Sequence, residues 1–349
     1  MKRIICFILA ALMLLSLAAC DLPDAETAKP KSREISYIYF NTVSVVSAYG
    51  DMSDEEFDAH CTAIDKTLDR YHRLFDIYFE YSGVNNLCTV NKNAGKAPVK
   101  VDAELIDFLL YCKELFSLTH GQTNVMLGSV LKIWHKCREM ADTDPAGARL
   151  PDTDALTEAQ KHTDIDSLII DKDEGTVYIS DPYASIDVGA VGKGYVTELL
   201  YRELKSKGVD SFALNVGGNL RTIGKKPDGT LWSTGITNPD RSSDNSLVCR
   251  VRMGDTSLVT SGDYERYYMV EGVKYHHIID PDTLMPAGYF TSVSVFTPDS
   301  ALADALSTAL FCMSYEDGLA LVNELGDVEV IWIDKDYSLK STDGVMFDD

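Results

Sequence analysis

Positive charge is scarce in this chain: its 349 residues carry 32 lysines and arginines against 54 aspartates and glutamates, for a net charge of −22. A surface of that sign repels phosphate backbones, so nucleic acid is excluded as a partner. No CxxC pair and no Cys/His cluster occurs, so nothing marks a structural zinc site. There is no internal repeat. Hydrophobic residues make up 45% and charged residues 25%, a globular balance that rules out a disordered, fibrous or repeat-coil chain. The N-terminal apolar run from Ile4 to Leu17 is too short to span a membrane comfortably.

That run follows Lys2 and Arg3 and reads as the core of a signal peptide, which predicts export. It ends in Leu17-Ala18-Ala19-Cys20, which resembles a bacterial lipobox, so residues 1–19 are expected to be removed and Cys20 lipidated. The remainder holds 30 positive and 54 negative side chains and stands off anionic lipid, leaving attachment to the acyl chains. Residues 20–36, with Pro23, Pro30 and several charges, read as the lipid-anchored tether, and 37–349 as the functional domain. The expected location is extracytoplasmic, anchored to the bacterial cell membrane on its periplasmic or outer face. The wide spacing of Cys61, Cys88, Cys112, Cys137, Cys249 and Cys312 favours buried thiols over disulfides.

Ser53-Asp54-Glu55-Glu56 has capping-box spacing, and Phe57, Cys61, Ile64, Leu68, Tyr71 and Phe75 follow at three- and four-residue steps, predicting an amphipathic helix. A second helix is predicted from Asp102 toward Gly121, after a polar loop over 85–96, and the Pro-containing stretch 138–164 reads as a surface excursion. Beyond it a hairpin is predicted at 168–170 and 177–179, and a helix over 194–207 with a strand at 212–216 completes an expected strand–helix–strand unit. Strands near 247–252, 257–260, 267–270, 291–296 and 328–333, with helices over 300–312 and 315–325, make the predicted class α+β.

Four segments carry chemistry. Asp187-Val188-Gly189-Ala190-Val191-Gly192-Lys193-Gly194 sets three glycines and a lysine where a loop enters a helix, letting backbone amides and an ammonium approach phosphate. Asn215-Val216-Gly217-Gly218-Asn219 follows the next strand as a tight turn. His276 and His277 precede an Asp280-Pro281 turn; of two adjacent strand residues one faces inward, and a neutral imidazole is able to accept a hydroxyl proton. Asp304 and Thr308 lie four apart on one helix face, an oxygen pair suited to Mg²⁺ together with a carbonyl and phosphate oxygens.

Taken in order, these segments resemble the ApbE-type FAD:protein FMN transferases, whose D-x-G-x-x-x-K-G, N-x-G-G-[ND], T-S-G…E-R…H-H-I-[IL]-D-P and D-A-x-[SDA]-T-A motifs match 187–194, 215–219, 260–281 and 304–309. The likeness spans roughly 36–335. It implies a two-lobed, T-fold-related single unit with FAD between the lobes. Position by position, it implies FAD contacts at Asp187, Lys193 and Ile278, an aromatic flavin neighbour at Tyr78, and Mg²⁺ held by the Ala190 carbonyl, Asp304, Ser307 and Thr308. His277 is implied as the general base, with Asp304 the second catalytic group. Phe40 and the segment Gln122, Thr123, Asn124 take cofactor-binding positions where the family usually has Met-Gly-Thr and Ala-Phe-Asp, and the usual glycine after Thr283 is missing.

The implied reaction is Mg²⁺-dependent transfer of FMN from FAD to a threonine or serine hydroxyl of an exported or membrane redox flavoprotein subunit, releasing AMP. The same residues also suit hydrolysis of FAD to FMN and AMP, or an FAD-binding lipoprotein without chemistry. A solute-binding lipoprotein rests on the anchor and the acidity alone.

Overall fold

The computed structural model describes residues 32–348, so the signal segment and Cys20 lie outside the described residues. In chain order the strands are β1 (Ser32–Tyr39), β2 (Thr42–Tyr49), β3 (Val99–Lys100), β4 (Leu168–Asp171), β5 (Thr176–Ile179), β6 (Ser211–Val216), β7 (Asn219–Gly224), β8 (Trp232–Thr237), β9 (Leu247–Met253), β10 (Ser257–Gly262), β11 (Tyr267–Val270), β12 (Val273–His276), β13 (Phe290–Thr297), β14 (Glu329–Asp334) and β15 (Leu339–Ser341). The helices are α1 (Asp54–Phe75), α2 (Leu87–Lys92), α3 (Ala103–Leu118), α4 (Gly128–Thr143), α5 (Thr153–Gln160), α6 (Gly192–Ser206), α7 (Ser300–Phe311) and α8 (Tyr315–Leu325). The class is α+β, as predicted.

Eight strands form one antiparallel sheet in the order β1-β2-β6-β7-β10-β13-β14-β15. Alternation along its central strands assigns two faces. Val259, Val330 and Trp332 pack with Ala303 and Leu306 of α7, while Leu258, Ile331 and Ile333 pack with Trp232 and Val251 of the β8–β9 hairpin. Each fully buried aliphatic or aromatic side chain here contributes about 1.5–3 kcal/mol. Covered on both sides, β14 reads Val330-Ile331-Trp332-Ile333 without a polar break.

On the helical face α7 lies on β10 and β13, and α6 lies against α7, β6, β7 and α1. The α6–α7 contact is backbone-close. A Cβ on Gly194 would come within 2.4 Å of the Asp304 Cβ and 2.4 Å of the Ser300 carbonyl oxygen, so only glycine fits there. Two hydrogen bonds clasp the pair: the Gly194 amide donates to Asp304 Oδ2 at 2.8 Å and the Ser300 amide donates to Glu198 Oε2 at 3.1 Å. Glu198 faces Arg221 at 3.8 Å, and this fully buried guanidinium also meets Asp255 at 3.1 Å and covers the Tyr201 ring at 3.6 Å.

Ser53 caps α1 through the predicted capping box, with Phe57, Cys61, Ile64 and Leu68 buried along one face. Three expectations change. The stretch from 138 is not excursion from its start, because α4 continues to Thr143 with Val130, Trp134, Cys137 and Ala141 buried at three- and four-residue steps. The strand–helix–strand order holds, but β5 belongs to the small β3-β5-β4 sheet and β6 to the large one, so the unit does not lie in one sheet. The first strand starts at Ser32, inside the segment read as tether, where Arg33 pairs with Asp54 at 2.6 Å. The six described cysteines are free thiols, five of them buried.

Gly194→Ala is expected to lower stability by about 1–3 kcal/mol through overpacking, read as an earlier midpoint in urea denaturation. An unchanged midpoint would show that α6 and α7 part without cost.

Candidate active site

The loop before α6 turns on Asp187, whose Oδ1 accepts from the Gly189 amide at 2.9 Å, while its own amide donates to the Val125 carbonyl at 2.8 Å. That second bond ties the glycine-rich loop to the segment after Gln122. Lys193 then reaches back, donating to the Gly189 carbonyl at 3.3 Å and standing 3.9 Å from Asp304 Oδ2. Ala190 is half-buried at the mouth of the loop.

Asp304 is 5% exposed, and burial pushes its carboxyl above the usual aspartate range, opposed by Lys193, the Gly194 amide and Arg266. Its Oδ1 accepts no hydrogen bond among the described residues. Thr308 follows one turn later on α7 and is half-buried. Ser307 is spoken for: its hydroxyl donates to the Asp304 carbonyl at 2.9 Å and meets the Ser261 hydroxyl at 2.9 Å, which joins the T-S-G strand to the helix.

The two adjacent histidines have opposite fates. His276 is buried; its Nε2 donates to the Ala287 carbonyl at 3.0 Å, its Nδ1 accepts from the Ile278 amide at 3.3 Å, and its ring meets Phe311 edge-on. A carbonyl only accepts and an amide only donates, which fixes the tautomer. Burial pushes its pKa down to about 4. His277 is half-buried as a residue, yet its Nδ1 is enclosed and has no hydrogen-bond partner among the described residues. Burial, reinforced by Arg266, His276, Arg138 and Lys193, pushes this imidazole down to about 3.

The Arg266 charge acts on both His277 and Asp304, as does that of Lys193, so the structure brings these four groups into one electrostatic neighbourhood. Asp187, Arg138 and Arg266 in turn act on Tyr78 and His135, whose hydroxyl and Nδ1 lie 3.3 Å apart. Tyr78 is 56% exposed, a free aromatic surface beside the cleft. Ile278 spends its amide on His276 and its carbonyl on the Ala287 amide.

The remaining expected contacts are placed differently. Thr123 donates to the Ala305 carbonyl at 2.8 Å, Gln122 donates to Asp282 at 3.0 Å, and Asn124 donates to the Thr163 carbonyl at 2.8 Å. These bonds hold the 122–124 segment against α7 and the Asp280 turn; the Gln122 Oε1 is enclosed without a partner among the described residues. Phe40 and Asn41 close the β1–β2 hairpin at φ 52° and 55°, and Phe40 stacks edge-on against His72, which neighbours Tyr81. Sequence reading gave no role to His135, Arg138 or Arg266. The first two ride on α4, whose apolar spacing was the available signal.

Among the described residues no three His, Cys, Asp or Glu side chains gather as a metal cluster. A cation at Asp304 would therefore draw on hydroxyl, carbonyl, phosphate or water oxygens, which is the donor chemistry of Mg²⁺. The under-bonded, buried Asp304 carboxylate fits that role.

The same fold occurs in solved flavin-related structures. The ApbE protein of Thermotoga maritima superposes with a TM-score of 0.77 at 25% identity, covering 90% of this chain and 97% of that one. The Vibrio cholerae flavin transferase ApbE gives 0.73 at 24% identity, covering 90% and 97%. The FAD:protein FMN transferase of Treponema pallidum is 34% identical over 275 residues, 74% of each chain. The ApbE family model matches residues 40–332, and the chain belongs to the ApbE family.

Because the folded pKa of His277 lies below its unfolded value, the stability contributed by the neutral ring is complete above about pH 6.5 and is lost as pH falls toward about 3. Titration followed by ¹⁵N NMR should show neither His276 nor His277 changing charge near the ordinary histidine pKa of about 6.5. A His277 midpoint there would mean that its ring is hydrated.

Proposed function

We propose that this chain transfers FMN from FAD to a threonine or serine hydroxyl of a redox flavoprotein, in a Mg²⁺-dependent reaction that releases AMP. The observation that carries the reading is a neutral imidazole, His277, that shares the charges of Lys193 and Arg266 with the buried Asp304 carboxylate. A base for a hydroxyl must be unprotonated and reachable; His277 is neutral, and with its Nδ1 enclosed the ring's Nε2 is the nitrogen left to accept.

The Asp304 carboxylate, the Thr308 hydroxyl and the Ala190 carbonyl are the oxygens that would hold Mg²⁺. When bound, the ion supplies positive charge against the negative charge building on the transferring phosphoryl oxygens. Lys193 adds an ammonium beside Asp304, at the start of α6. Tyr78 offers its exposed ring to the flavin. His277 takes the acceptor hydroxyl proton as the new phosphorus–oxygen bond forms on the FMN side and the bond to AMP breaks. The resulting imidazolium is less costly once substrate phosphates offset Lys193 and both arginines. The Leu17-Ala18-Ala19-Cys20 segment supports an anchored, extracytoplasmic enzyme acting on exported or membrane subunits.

Intact-mass spectrometry of a candidate acceptor domain, incubated with the enzyme, FAD and Mg²⁺, should show one added FMN with AMP released. Asp304→Ala is expected to abolish metal-dependent turnover, and His277→Ala to slow transfer about 10²- to 10⁴-fold. Free FMN and AMP with no mass gain would identify a hydrolase; retained FAD with no AMP would identify a binding protein.

A further inference from the structure

In a chain of net charge −22, two arginines beside the active cleft have no counter-ion. Among the described residues neither Arg138 nor Arg266 meets a carboxylate at ion-pair distance or donates a hydrogen bond. Their sequence neighbours Glu139 and Glu265 are exposed and pair with neither. Arg33, Arg70, Arg73, Arg202 and Arg221 pair with acidic partners, whereas Arg149, Arg241 and Arg250 do not among the described residues; Arg138 and Arg266 differ from these three in that their charges act on His277.

Packing brings the two together. Trp134 of α4 lies with its ring 6.4 Å from Tyr268 of β11 and 6.3 Å from Tyr275 of β12, and its indole donates to the Leu284 carbonyl at 2.9 Å. Arg138 follows Trp134 by four residues on the same helix face, and Arg266 immediately precedes β11, whose first residue Tyr267 pairs with His276 of β12, so Arg266 stands at the His277 end of the hairpin on which α4 is seated. Both charges reach His277, and that of Arg266 also reaches Asp304. Half-buried Arg138 and exposed Arg266 thus present ten N–H donors' worth of planar, bidentate geometry, in about the form that phosphate oxygens accept best.

We propose that Arg138 and Arg266 form a two-sided guanidinium clamp on the diphosphate of FAD, an inference that rests on FAD being the substrate. The clamp would bind the dinucleotide through its phosphates, separately from the aromatic contacts that hold the isoalloxazine.

The test compares FAD with riboflavin, which carries the same ring and no phosphate, by flavin-fluorescence titration of the full chain without Mg²⁺. Arg138→Met and Arg266→Met keep the apolar stems and remove the charge, and urea midpoints confirm that each variant folds. Each is expected to weaken FAD binding about 10- to 100-fold and to leave riboflavin within about 2-fold of the unmodified chain. Arg266→Lys should recover part of the FAD affinity. Equal losses for both ligands would assign the arginines to the flavin pocket and overturn the clamp, as would FAD affinity unchanged in both variants. An unmodified chain that binds riboflavin and FAD equally overturns the clamp alone; one that binds neither overturns the FAD reading with it.

Discussion

Two helices in this molecule cap each other. The Asp304 carboxylate of α7 accepts the amide of Gly194 in the first turn of α6, and the Glu198 carboxylate of α6 accepts the first amide of α7 at Ser300. Helix N-terminal amides ordinarily find a partner two or three residues upstream in their own chain segment, as Ala301 and Leu302 do at Asp299. Here the partners come from the opposing helix, and each carboxylate sits at the positive end of its neighbour's dipole. Because the donors and acceptors are spaced by one turn on both helices, sliding either helix breaks both bonds at once. The Asp304 carboxylate is therefore part of the joint that fixes its own position, and at Glu198 burial and the nearby Asp299 push the carboxyl above its usual range, opposed by the Ser300 amide, Arg202 and Arg221.

The hairpin side of the cleft treats its two adjacent histidines differently. His276 turns inward and is saturated by two backbone partners, so it fastens β12 to the loop at Ala287 and to Phe311. His277, one residue beyond the end of β12, has an enclosed Nδ1 without a hydrogen-bond partner among the described residues. One imidazole is saturated by backbone partners and its neighbour is not.

Much of this was legible in the residues. The α1 capping box, the hairpin at β4–β5, the strands from β9 to β14 and both late helices follow from local pattern, since each has a periodic apolar face and a clear start or stop. The four motif segments pointed to Asp187, Lys193, His277 and Asp304, which the fold gathers. What escaped was non-local. The spacing of 194 with 198 and of 300 with 304 has meaning only once the helices touch; β1 and β2 carry polar alternation at a sheet edge, and mid-sheet β7 buries the polar side chains of Asn219, Arg221 and Thr222. Phe40, Gln122 and Asn124 were assigned by likeness at positions where this sequence departs from its family, and their hydrogen bonds run to the local scaffold.

Five thiols are distributed through α1, α2, α3, α4 and the end of α7, all buried and none joined. Burial holds them protonated, most strongly at Cys112 and Cys312, and the protonated thiol is a poor nucleophile. The architecture is thus held by packing and by carboxylate–amide bonds, neither of which exchanges electrons. Among the described residues no disulfide contributes to its stability, so a reductant leaves this part of the fold unchanged.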